Sequence, residues 1–204
     1  MKKTRLLTKI FLIALMLLIP NWLPLSAADK APFNLPPKNE LNLIRSAIIK
    51  TNKGTLYVQL FPDEAPWHVS NFKYLADKGF YNNLKFHLYE EGVAIQTGAP
   101  TAKANSGPGY TIPAEFTNRK HVLGSLSMVR KPNDLDYNHT RRSHGSQFRI
   151  ILGRAPYMDG QYVVFGQVIK GFEVLESLRQ GDVIKELTVY VKSKEVRPAP
   201  LDNN

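Results

Sequence analysis

The chain has 204 residues, a formal net charge of +10 and no cysteine. That length allows one ordinary domain or two small ones, and a single domain of this size buries a real core unaided. Without cysteine, disulfide staples, zinc–thiolate centres and thiol catalysis are excluded. The positive charge bears on solubility and acidic partners rather than on nucleic acid, because no basic helix, zinc finger or aromatic RNA-binding motif accompanies it.

The chain opens on Lys2, Lys3, Arg5 and Lys9, then an apolar run from Ile10 to Pro20, then Trp22 to Leu25 and the small residues Ser26, Ala27 and Ala28. A basic flank, a short apolar segment and a small-residue motif predict a secretory signal over residues 1–28, cut before Asp29. The run is shorter than the ~20 residues that span a bilayer. Extending it to Leu25 leaves an uncleaved membrane anchor as the alternative. The expected location is therefore outside the cytoplasm, periplasmic or secreted, with membrane contact only through an uncleaved signal. Removing the signal takes four cations away and leaves a mildly basic mature chain. Residues 29–42, rich in Pro, Asn, Lys and Ala, read as an extended linker. Residues 197–204 read as a flexible tail, so the domain runs over 43–196.

Within it, apolar stretches at 46–51 and 55–61 flank Asn52-Lys53-Gly54, a hairpin signal. Over 66–78 the period changes: Val69, Phe72, Leu75 and Ala76 recur at helical spacing. Pro66 suits the first helical turn, Asp63 and Glu64 its dipole, and Gly79 its end. Further strands are expected at 85–89, 94–97, 124–129, 147–152, 162–168 and 187–191. A second helix is expected at 172–178, with Val174, Leu175 and Leu178 inward. Many short strands and two helices predict a mainly β chain: a closed or nearly closed antiparallel barrel capped by helices. Two long loops, 99–115 and 130–145, are candidate binding segments or plain solvated connections.

Bland readings suit several residues. His68, His121, His139 and His144 lack metal-ligand spacing, so no metal and no cofactor is expected. Asp134 and Asp136 sit among cations and suit surface pairing. Gly107-Pro108-Gly109 reads as a turn. His87 suits a structural role in a strand, with assistance to chemistry as the alternative.

Four segments in order carry a resemblance: Phe80-Tyr81 with Phe86-His87; Gly92 with Ile95-Gln96-Thr97-Gly98; Leu126-Ser127-Met128 with Gly145-Ser146-Gln147-Phe148; and the run from Met158-Asp159-Gly160 to Val168. Over residues 45 to 192 this resembles the cyclophilin family of peptidyl-prolyl cis–trans isomerases. The resemblance implies an eight-stranded antiparallel barrel closed by two helices, with a groove on its flank that takes X-Pro peptides. It also implies where the groove lies. The family's catalytic arginine falls at Leu88, which donates no hydrogen bond. Its pocket aromatic falls at Val93 and the next apolar residue at Ala94. The glutamine that holds the substrate backbone is Gln96, and a second glutamine is Gln147. The phenylalanine of the pocket floor becomes Arg149. The remaining wall is Tyr157, Met158 and Tyr162, and the pair whose backbone binds substrate is Val129-Arg130.

Two functions follow. One is an isomerase assisting folding outside the cytoplasm, weakened by Leu88, with His87, Gln96 and Arg149 as possible contributors. The other is a non-catalytic barrel that grips proline-containing peptides or client proteins; a membrane-tethered scaffold is a third, if the signal stays. Arg149 itself has three readings: a relocated cation, a recognition group for an acidic ligand with Arg130 nearby, or an edge arginine without a role. The expected partners are proline-containing segments, acidic ones included, and the expected state is a monomer.

Overall fold

The computed structural model describes residues 30–101, 103, 105–130 and 141–192. The proposed signal, the tail, and Asp134, Asp136 and His139 lie outside them. Three α-helices and nine strands follow one another as α1 (Lys38–Leu41), β1 (Ile44–Thr51), β2 (Thr55–Leu60), α2 (Pro66–Asp77), β3 (Leu88–Glu90), β4 (Ala94–Thr97), β5 (Thr111–Ile112), β6 (Ser125–Arg130), β7 (Ser143–Ile151), β8 (Val163–Lys170), α3 (Phe172–Ser177) and β9 (Ile184–Val191), with a 3-10 turn at Pro156–Met158 before β8.

The sheet runs β3-β4-β7-β6-β8-β2-β1-β9, all antiparallel, with β5 added beside β7. It curls as expected, but the expected closed eight-stranded barrel with two helices needs correcting. β3 and β9 end the path and share no ladder. An isolated bridge between Lys85 and Val183 spans the seam, helped by Phe86 N–H donating to Asp182 O at 2.8 Å. Asn83 and Gly181 hold φ of 64° and 95° beside it, turns that interrupt both ladders. The additional strand, β5, is two residues long and the additional helix, α1, a single turn, both too short for a hydrophobic period to show.

Local chemistry explains the main elements. The β1–β2 turn is pinned by Thr51, whose Oγ1 accepts from Lys53 and Gly54 N–H at 3.0 and 3.1 Å. A Cβ on Gly54 would lie 2.6 Å from Val174 of α3, so the turn needs glycine. Pro66 starts α2 as predicted, but Asp63 and Glu64 do not cap it. They pair instead with Arg45 and Arg119. The capping carboxylate is Glu115, which accepts from Trp67 and His68 N–H at 2.9 and 3.1 Å. α2 buries Val69, Phe72, Leu75 and Ala76. Phe72 meets Tyr81, Phe148 and Phe165 at centroid separations of 5.3, 5.4 and 5.2 Å, tilted or edge-on. Such pairs add about 0.5–1.5 kcal/mol each beyond their burial. The stretch read as an extended linker lies against this helix: Ala31 and Leu41 join the core, and Phe33 packs on Trp67 and Tyr74.

Candidate functional site

Register builds the site. Leu88 opposes Gln96, Gln96 opposes Arg149, and Arg149 opposes Ser127, across β3, β4, β7 and β6. Directly opposed residues share a face. The neighbouring row, Ile95, Ile150 and Leu126, is wholly buried in the core, so the Leu88–Ser127 row faces outward. Two residues along, Ala94 opposes Ile151 on that same outer face. These two gather with Ala155 and Met158 into a second, smaller apolar cluster, covered by Val93 and Tyr162. The outer face thus has an apolar half and a polar half.

The polar half is a directed chain. Gln147 Nε2 donates to the carbonyls of Ser106 and Lys103 at 2.8 and 3.2 Å. Its Oε1 is then left to accept from Gln96 Nε2 at 2.8 Å. Gln96 Oε1 in turn accepts from Arg149 Nε at 2.8 Å. The loop carbonyls therefore set both amide orientations, and through them the guanidinium. His87 enters from the side, its Nε2 3.3 Å from Gln96 Nε2, which makes that ring nitrogen the acceptor and puts the proton on Nδ1. Burial holds His87 below the ordinary imidazole pKa of 6.5 and keeps it neutral.

Arg149 is half-buried, its guanidinium 5.3 Å from the Tyr162 ring centroid. Arg130, only 8% exposed, lies 5.9 Å from that ring. Val129 is buried beside it. Not every predicted residue joins the cluster. Leu88 is 41% exposed on the edge strand, and Tyr157 is 65% exposed on the 3-10 turn, while Met158 next to it is buried.

Sequence reasoning missed the wall behind Arg149. Ser127 Oγ and His121 Nε2 are 2.8 Å apart, and His121 Nδ1 reaches Asp159 Oδ1 at 2.9 Å. Lys120 pairs with the other Asp159 oxygen at 3.4 Å. The order Ser–His–Asp has the look of a nucleophilic triad, but Ser127 is 1% exposed, so it supports rather than attacks. Burial pushes the His121 pKa down, Asp159 opposes this, and Arg149 adds to the lowering. Asp159 lies 38 residues from His121, so spacing carries no signal of the set. A parallel set, Ser143–His68–Glu115, sits at the start of α2 with contacts of 2.8 and 2.6 Å.

Comparison with known proteins agrees with this geometry. Residues 46–197 match the family described as cyclophilin type peptidyl-prolyl cis-trans isomerase/CLD. A Helicobacter pylori peptidyl-prolyl cis-trans isomerase is 38% identical over 154 residues, 74% of this chain and 90% of that protein. Bacillus subtilis peptidyl-prolyl cis-trans isomerase B is 38% identical over 133 residues, 64% of this chain and 87% of its own. The crystal structure of a Cryptosporidium parvum cyclophilin-type isomerase superposes with a TM-score of 0.65 at 30% identity, covering 73% of this chain and 99% of that one. The chain belongs to the cyclophilin-type peptidyl-prolyl cis–trans isomerase family.

Proposed function

We propose that this chain is an exported prolyl isomerase of low intrinsic rate, acting on proline-containing segments of client proteins outside the cytoplasm. Amide resonance sets the barrier at about 18–20 kcal/mol, and uncatalysed X-Pro exchange takes tens to hundreds of seconds, slow enough to limit folding. Catalysis needs no covalent step. It needs a grip on the proline ring and a donor near the prolyl nitrogen, which weakens conjugation and favours the twisted amide.

One observation carries the low rate: the family's arginine position holds Leu88, exposed and without a donor, while the guanidinium of this face belongs to Arg149, tied to Gln96. By analogy with other preorganised donors, losing one costs about 10²–10³-fold in rate. Gln96 and Gln147 are retained to hold the peptide, and Val93, Ala94, Met158 and Tyr162 are the apolar wall in this reading. A relative from Cryptosporidium parvum was crystallised in the presence of the dipeptide Ala-Pro, which supports a proline-sized ligand in such a groove. The same Arg149 favours a second reading, a peptide-binding barrel without turnover, because a cation at the floor disfavours an apolar ring.

Exchange spectroscopy by NMR on short X-Pro peptides tests both. Weak but measurable acceleration is expected, none indicates the binding module, and a rate equal to that of the Helicobacter pylori relative overturns the low-rate proposal. Terminal sequencing of the mature protein tests export, with Asp29 expected first.

A further inference from the structure

Arg149 is unusually placed for a structural arginine. Its Nε is committed to Gln96, yet among the described residues its two terminal nitrogens have no hydrogen-bonding or ion-pair partner. It is half-buried, so water does not fully replace that partner. The acid on the adjacent wall, Asp159, is already occupied by His121 and Lys120. Glu90, opposite Ala94 on the edge strand, is exposed and forms no ion pair among the described residues. A second guanidinium, Arg130, lies across the face of Tyr162. Beside the cation, Val93 and Ala94 leave a wall of small side chains backed by Ile151 and Met158. A planar fork with free donors, a neighbouring cation and a short apolar wall form a receptor for a carboxylate carried on one or two methylenes.

We propose that this pocket reads a carboxylate: its preferred ligand is a peptide segment that presents an acidic group next to proline, which takes the terminal nitrogens of Arg149 while the backbone lies on Gln96. The proposal rests on the groove being the peptide site of the isomerase reading and adds the substrate class. The carboxylate can come from a Glu or Asp side chain or from the end of a chain.

The test uses three N-acetylated peptides on the full mature protein: Ala-Glu-Pro-Ala amide, Ala-Gln-Pro-Ala amide, and Ala-Gln-Pro with a free terminal carboxylate. Isothermal titration at low and high salt should show the Glu peptide binding about tenfold tighter than its Gln isostere, as one charge-assisted fork predicts, with the advantage shrinking as salt rises. The free-terminus peptide tells whether the chain end serves equally. Arg149→Gln should abolish the preference, and Arg149→Lys should keep part of it. On the unaltered protein, the Arg149 guanidinium resonances should shift with the Glu peptide and not with the Gln peptide. Equal affinities of all three peptides, or a preference that persists in folded Arg149→Gln, overturn the proposal. Exchange rates on the same samples keep the readings apart: acidic preference without exchange defeats only the isomerase, and exchange without acidic preference defeats only the carboxylate.

Discussion

At the scale of single residues the proposed low rate turns on two positions. Leu88 and Arg149 stand in one cross-strand row with Gln96 between them. The double change Leu88→Arg with Arg149→Phe should restore both the rim donor and an apolar floor. Peptide exchange should then rise about 10²–10³-fold, while Leu88→Arg alone gains less because the floor stays charged. A folded double variant with no gain refutes this account. Behind the pocket, Ser127→Ala leaves His121 Nε2 buried without its partner, a loss of about 1–3 kcal/mol in urea unfolding. His121 and His87 both hold folded pKa values below the ordinary 6.5. As pH falls below 6.5 the unfolded chain takes up these protons first, so stability should drop until the folded sites also protonate. Above 6.5 the two contribute nothing. Urea midpoints between pH 8 and pH 5 check this, and His121→Asn should flatten the curve.

At the scale of elements, the local signals were readable and the partners were not. Helix α2 showed in its 3.6-residue period and in Pro66, and its buried face is the predicted one. Phe72→Ala, at the centre of the aromatic group, should cost about 3–5 kcal/mol in stability. The cap of that helix comes from far along the chain. Asp63 and Glu64 precede it in sequence, yet Glu115, 48 residues from Trp67, holds its N–H groups. Glu115→Ala should cost about 0.5–2 kcal/mol, read from the denaturation midpoint. β5 was hidden for a related reason: two residues on β7 have no alternation to display.

At the scale of the whole molecule, the curled sheet puts the core on one face and the row from Leu88 to Ser127 on the other, and it is joined at its seam by a bridge rather than a ladder. The N-terminal stretch is part of the body: Lys192 N–H donates to Leu43 O at 2.9 Å, and Phe33 covers α2. Phe33→Ala should lower the thermal midpoint without changing peptide affinity, since this patch, Phe33 with Trp67 and Tyr74, shares no residue with the proposed site.

Family and approximate elements were legible in the chain, and candidate site positions could be named from it, because all rest on short motifs and on periods of two or 3.6 residues. Whether those positions meet was decided by tertiary structure. Gln96 and Arg149 are 53 residues apart in sequence and share a hydrogen bond only because β4 and β7 pair in one register. A shift of one residue would turn Arg149 into the core. The same folding brought Asp159 to His121 and Ser127 and left Tyr157 in solvent. Neighbours across a sheet are set by strand order and register, and neither is a local property of the chain.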